Sequence, residues 1–279
     1  MERTLSIATH ELRGGGGLKL HVREVGDPQG PPLLFIHGWS QSQMCWTRQI
    51  EGPLAEEFRI VSFDLRGHGM SEKPADAGAY VDGRLWADDL NAVIEQLELD
   101  RPVLVGWSYG GYVVTDYLAA YGEAAIAGID LVGGAVLRTP GFEHLGPGLL
   151  ENAGDACGDD LQASIAAIHR ILRACTVRPL SDPDWNTALC WNMVVPPAVR
   201  AALFAREIDS DEVLAHLSVP VLVTHGLADA IVLPSMAQHA VDVCPTAYAS
   251  WYERVGHMPF MEDSGRFDLE LAEFAARVQ

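Results

Sequence analysis

Basic residues are scarce in this chain. Lysine and arginine number 19 against 38 aspartates and glutamates, a formal net charge of −19. A surface of that sign repels nucleic acid and anionic membrane, so neither is an expected partner. It also disfavours long-range capture of polyanionic substrates. Cysteine is sparse as well. Cys45, Cys157, Cys175, Cys190 and Cys244 are scattered with no C-x-x-C pair. An odd, unpatterned set excludes a disulfide framework and reads as reduced thiols filling small core spaces. No apolar run reaches the roughly 18 residues of a membrane span. The stretch Met1–His10 has no apolar signal core, so the expected location is cytoplasmic. The histidines show neither H-E-x-x-H nor H-x-x-E-H spacing, so no metal site is expected. The glycine run Gly14–Gly17 is followed by neither a helix nor a Lys-Ser/Thr pair, which makes it a turn rather than a phosphate loop.

What is present is length and apolar content. The 279 residues, 48% of them hydrophobic, are enough for one large α/β domain with a substantial core. A first strand is expected near Leu5 to Leu12, and a half-exposed one over 17–25, where apolar and polar residues alternate. Leu33–Ile36, Arg59–Asp64, Arg101–Val105 and Ile129–Gly134 are short apolar runs of the buried parallel type. Between them, Asp82–Leu99 carries Leu85, Trp86, Leu90, Val93, Ile94 and Leu97 at helical spacing. Tyr112–Tyr121 does the same after the third of these runs. Strand and helix alternate, which implies a mostly parallel twisted sheet with helices on both faces.

The alternation lapses from about Leu137 to Leu217, where no strand is convincing. Leu161–Thr176 and Asp184–Val194 read as helices, and Pro196-Pro197 opens a third that runs through Phe204 and Arg206. A helical insertion at the carboxyl edge of a sheet is well placed to act as a lid. The pattern resumes at Val219–Gly226. A helix begun by Pro234, a strand over Tyr248–Val255 and a helix over Ser264–Val278 close the chain. The expected division is a core of residues 1–136 and 218–279 with a helical cap of 137–217.

Chemistry concentrates at strand ends. Gly106-Trp107-Ser108-Tyr109-Gly110-Gly111 places a serine where a strand gives way to a helix. The flanking glycines relieve the crowding of so sharp a turn and leave the hydroxyl exposed beside free helix N–H groups. His37-Gly38-Trp39 ends an earlier strand and is either an ordinary turn or a source of a backbone N–H near Ser108. His68 lies in the glycine-rich loop Asp64–Ser71 and reads as a loop-structuring residue. Asp229 follows the strand ending at Gly226, and His257 follows the last strand. A serine hydroxyl needs a base within reach, and the base needs an orienting acceptor. Ser108, His257 and Asp229 can meet at one sheet edge and supply all three roles.

These motifs, with Gly226-Leu227-Ala228-Asp229 and Gly256-His257, resemble the α/β-hydrolase family over nearly the whole chain. The resemblance implies that fold. It implies Ser108 as nucleophile, His257 as general base and then acid, and Asp229 as its orienter. It implies an oxyanion hole from the backbone N–H groups of Trp39 and Tyr109, and no cofactor. The strand ending at Gly134 is followed by no carboxylate, which leaves Asp229 as the acid. The implied reaction cleaves a small or medium carboxylic ester through an acyl-serine. A lactonase, a cofactor-free perhydrolase, a C–C bond hydrolase, and a silent ligand receptor on the same fold stand as alternatives. An esterase acting on a pimeloyl carrier protein shares the glycine elements, but its acidic partner would be repelled. Trp107, Trp185, Trp191, Met193 and Met258 are candidate substrate-binding residues, with Trp39 and Phe204 beside them. The expected partner is a small ester or lactone, and a homodimer is left open.

Overall fold

The computed structural model describes residues 7–138 and 141–279. Eight strands form one sheet: β1 Ile7–Arg13, β2 Lys19–Gly26, β3 Pro32–Ile36, β4 Arg59–Phe63, β5 Val103–Trp107, β6 Gly128–Val132, β7 Val221–Gly226 and β8 Ala247–Tyr252. Their spatial order is β1-β2-β4-β3-β5-β6-β7-β8. β2 runs antiparallel to β1 and β4, and every pairing from β4 to β8 is parallel. The Leu5-Ser6 end of the first expected strand lies outside the described residues. β3, β5, β6 and β7 are buried at every position, as expected of strands covered on both faces.

Period-two alternation along β5 sorts the two layers. Trp107 faces an aromatic cluster in which its ring lies 6.3 Å from Trp46 and 5.0 Å from Phe260. That layer includes the closing helix Ser264–Val278, whose Phe267 stands 6.1 Å from Phe260. Gly106 faces the other way, onto Gly110 and Val114 of the helix Gly110–Tyr121. That helix packs on Gly83–Gln96, whose first turn is capped by Asp82 accepting from the Arg84 N–H at 2.8 Å.

The Gly14–Gly17 turn expected from sequence is a single 3₁₀ turn over Gly15–Gly17. It is anchored by a bond from the Gly15 N–H to Asp89 Oδ1 at 2.8 Å. The same carboxylate takes a two-pronged bond from Arg66, Nε to Oδ2 at 2.7 Å and Nη2 to Oδ1 at 2.8 Å, with both side chains buried.

Between β6 and β7 lie helices Pro147–Ala156, Leu161–Ala174, Asp182–Val194, Pro197–Phe204 and Asp211–Ala215. The first was not read from the sequence, where Gly148 and Gly154 weaken helix propensity; Pro147 at its first turn was the available signal. The second begins at Asp160, whose carboxylate caps Gln162 and Ala163. The third begins two residues before the expected Asp184, because the Ser181 hydroxyl caps it. The fourth stops at Phe204, short of Arg206. Two isolated antiparallel bridges, Leu137 with Asp209 and Leu145 with Val232, tie this segment to the rest. Among the described residues no single helix is long and apolar enough to cross a membrane.

Candidate active site

Ser108 sits on the turn from β5 into Gly110–Tyr121 with φ of +55°, in the left-handed region that non-glycine residues rarely occupy. The conformation is held on both sides. The Ser108 N–H donates to Val132 O at 3.0 Å, and Ser108 O accepts from Gly111 at 2.9 Å and Ala135 at 3.0 Å. Gly110 is required here, since a Cβ would lie 2.5 Å from Ile36 O. Gly38 is nearly as constrained; its Cβ would come to 3.0 Å from the Ser108 Cβ. The loop after β3 therefore passes directly against the serine. Neither the Trp39 N–H nor the Tyr109 N–H donates to another group among the described residues.

Asp229 and His257 meet at the same edge. His257 Nδ1 lies 2.7 Å from Asp229 Oδ2. Asp229 Oδ1 accepts from the N–H groups of Ile231 at 2.8 Å and Val232 at 3.0 Å, which fixes the plane of the carboxylate. A carboxylate only accepts, so Nδ1 carries a proton, and in the neutral imidazole Nε2 is the free acceptor. The Trp107 indole N–H donates to His257 O at 2.9 Å, and the His257 N–H donates to Cys175 O at 2.8 Å. Glu262 extends this tether. It accepts from the Gly256 N–H at 2.7 Å, the Val177 N–H at 2.8 Å and the Arg178 N–H at 3.2 Å. One carboxylate thus joins the histidine loop to the end of the inserted helix Leu161–Ala174.

A second histidine, His225, is fully buried beside the acid. Its Nε2 donates to Val232 O at 3.0 Å and lies 3.4 Å from Asp229 Oδ2. Burial lowers its pKa, against the opposing pull of the Asp229 carboxylate. Sequence reading passed over it, because it is a single histidine between Thr224 and Gly226 at the end of β7.

Two further buried histidines support the loop after β3. His37 Nε2 accepts from the Leu65 N–H at 3.0 Å, so its Nδ1–H donates to Gly38 O at 2.8 Å. His68 Nε2 accepts from the Ser40 N–H at 3.2 Å, so its Nδ1–H donates to Arg66 O at 2.9 Å. Burial depresses both, His37 to about 4 and His68 to about 3, the latter also lowered by His37. His68 therefore structures the loop.

Ser108, Trp39 and Leu149 border two adjoining chambers. One is lined also by Gln41, Trp107, Cys175 and His257. The other is walled by Tyr109, Tyr112, Arg138, Leu203, Phe204 and Val232. Of the sequence candidates for substrate contact, Trp107 reaches a chamber. Met258 is buried in the core. Trp185 packs on His169 and Arg173 at a separate outer groove. Trp191 bonds Gln41 from behind, and neither it nor Met193 lines either chamber. Phe204 and Trp39 do line, their rings 5.1 Å apart. Leu149 and Cys175 were missed, since their approach depends on how the inserted helices fold back, and Val232, in the loop after β7, was missed because nothing local marks it. Among the described residues no cluster of three His, Cys, Asp or Glu side chains is placed to hold a metal ion.

A family model described as the alpha/beta hydrolase family matches residues 33–268. The chain belongs to the α/β-hydrolase family. Two solved structures are similar throughout. A provisionally assigned aryl esterase from Burkholderia cenocepacia is 34% identical with a TM-score of 0.93, covering 97% of this chain and 99% of that one. An esterase from Rhodococcus sp. ECU1013 is 35% identical with a TM-score of 0.92 and the same coverage. A pimeloyl-[acyl-carrier protein] methyl ester esterase of Vibrio cholerae is 25% identical over 259 residues, 89% of this chain and 96% of that protein. The mostly parallel sheet with helices between its strands, expected from sequence, is that of this hydrolase fold.

Proposed function

We propose that this hydrolase cleaves small or medium carboxylic esters through an acyl-serine intermediate. The observation that carries the reading is the 2.7 Å contact between His257 Nδ1 and Asp229 Oδ2, with His257 and Ser108 lining one chamber. In this reading Ser108 Oγ attacks the ester carbonyl carbon while His257 Nε2 takes its proton. The carbonyl oxygen becomes an oxyanion facing the N–H groups of Trp39 and Tyr109. The intermediate collapses, the C–O bond to the alcohol breaks, and the leaving alkoxide takes the proton from Nε2. Water then attacks the acyl carbon and gives a proton to Nε2. A second collapse frees the acid and restores Ser108.

The same chemistry assigns the chambers. The group that protonates the leaving oxygen must lie beside it, so the alcohol portion occupies the His257 chamber. The acyl portion then falls in the chamber walled by Tyr112, Leu203 and Phe204. In this reading residues 137–217 act as a cap over a core of 1–136 and 218–279. The test is a series of p-nitrophenyl esters of increasing acyl length, with Ser108→Ala alongside. We expect kcat/KM to peak at short to medium chains and Ser108→Ala to lose at least ~10⁴-fold in kcat. Undiminished turnover by Ser108→Ala refutes the reading. Lactone opening, and bromination with peroxide plus acetate, separate the lactonase and perhydrolase alternatives. Covalent labelling of Ser108 by a fluorophosphonate excludes a silent receptor.

A further inference from the structure

The loop Gly38–Gln41 is gripped from outside by the inserted helices. The Trp39 indole N–H donates to Arg200 O at 3.2 Å. The Ser40 hydroxyl accepts from Arg200 Nε at 2.9 Å. The Gln41 side-chain oxygen accepts from the Trp191 indole at 2.8 Å. Three successive residues of one loop are thus each bonded to helices Asp182–Val194 and Pro197–Phe204. Ser40 itself has φ of +58°, a strained conformation that persists only where the surroundings hold it.

Arg200 is the centre of this grip. It is fully buried, and its hydrogen-bond partners among the described residues are all uncharged. Nη1 donates to Ala156 O at 2.9 Å and Ser164 Oγ at 3.0 Å, and Nη2 donates to Asn192 O at 2.5 Å. Ala156 and Asn192 lie in the last turns of two inserted helices, where carbonyls carry partial negative charge; Asn192 O also accepts from the Val195 N–H at 3.2 Å. Burial lowers the Arg200 pKa to about 10, which still leaves it charged at neutral pH. Only a planar fork can serve four acceptors in these directions at once.

We propose that Arg200 is a positioning residue for the oxyanion hole. Through Ser40 and Trp39 it fixes the loop that presents the Trp39 N–H, so the insertion is a working wall of the site. The inference rests on the reading of Trp39 as an oxyanion donor. Complete loss of one such donor costs roughly 10²–10³-fold in kcat, so displacement by a broken strap should cost roughly 10–100-fold.

The test uses the full chain with Arg200→Lys, Arg200→Met and Ser40→Gly. Ser40→Gly removes the acceptor and suits the left-handed backbone, so it tests the strap independently of how well a buried methionine is tolerated. Active sites are titrated with fluorophosphonate so that kcat refers to folded enzyme. We expect kcat to fall while KM stays within about threefold, and a trifluoromethyl ketone, whose serine adduct places an oxyanion in the hole, to bind weaker by the same factor. The Arg200→Met, Ser40→Gly double variant should be no worse than the poorer single one, since the Arg200–Ser40 bond is already lost in each. Unchanged kcat per titrated site in Ser40→Gly, or additive losses in the double variant, overturns the proposal. Ser108→Ala separates the two readings. If it is inactive while Ser40→Gly turns over normally, only the Arg200 inference fails.

Discussion

The substitution Asp229→Asn keeps shape and removes charge, and the geometry dictates which way the amide must point. Oδ1 accepts two backbone N–H groups, from Ile231 at 2.8 Å and Val232 at 3.0 Å. An amide NH₂ in that place would face two donors, so the asparagine oxygen must take it. The NH₂ then occupies the Oδ2 position, against His257 Nδ1 at 2.7 Å and within 3.4 Å of the His225 Nε2–H. His257 can accept from that NH₂ only by moving its own proton to Nε2. In the proposed mechanism a protonated Nε2 cannot take the proton of Ser108, so the substitution would switch off the base without loss of fold. The equivalent tautomer fault in the serine-protease triad costs about 10⁴-fold in kcat, or about 5.4 kcal/mol of barrier. We expect a loss of that order here, with thermal midpoint little changed. The assay is p-nitrophenyl acetate turnover per titrated site, paired with ¹⁵N NMR of the His257 ring. A variant that keeps more than a tenth of kcat, or an imidazole still protonated at Nδ1, refutes the reasoning.

Asp89→Asn leaves the Arg66 guanidinium buried without its carboxylate, and should cost about 3–5 kcal/mol. Urea denaturation should show a lower midpoint at unchanged slope, and a loss under about 1 kcal/mol would count against the buried-pair argument. Asp130 lies within β6, fully buried, with Oδ1 accepting from the Thr224 hydroxyl at 2.9 Å and Oδ2 without a hydrogen-bond partner among the described residues. Burial pushes its carboxyl up to about 8, with Glu270 adding to the rise. The unfolded chain releases this proton near 4, so the folded state loses about 1.4 kcal/mol per pH unit between roughly 4 and 8. Asp130→Asn should therefore stabilise the protein at pH 7 by about 1–3 kcal/mol, after the cost of burying an amide. The gain should vanish toward pH 4; a gain independent of pH sinks the explanation.

Much of the sheet was legible because its signals are local. The runs of β3, β5, β6 and β7 are short and apolar, and glycines mark where each stops. Ser108 stands directly after β5, Asp229 three residues after β7 and His257 five residues after β8, so parallel order brings all three to one sheet edge. The walls of the chambers were not legible, because they depend on distant contacts such as Trp39 with Arg200, 161 residues apart. The helix Asp182–Val194 shows why. Trp185, Leu189, Trp191, Met193 and Val194 are spread around it, so spacing gives no inward face. Packing chose Ala188 and Asn192, and turned Trp185 toward His169.

Glu262 has a practical consequence for anyone recombining this enzyme with its relatives. A chimera that exchanges the inserted helices also exchanges residues 175–178, whose backbone supplies one contact to His257 and two donors to Glu262. A new pocket would then arrive with a different brace on the imidazole loop, mixing changes of selectivity with changes of turnover. Grafts joined downstream of Arg178 keep that brace native and let the two effects be measured apart.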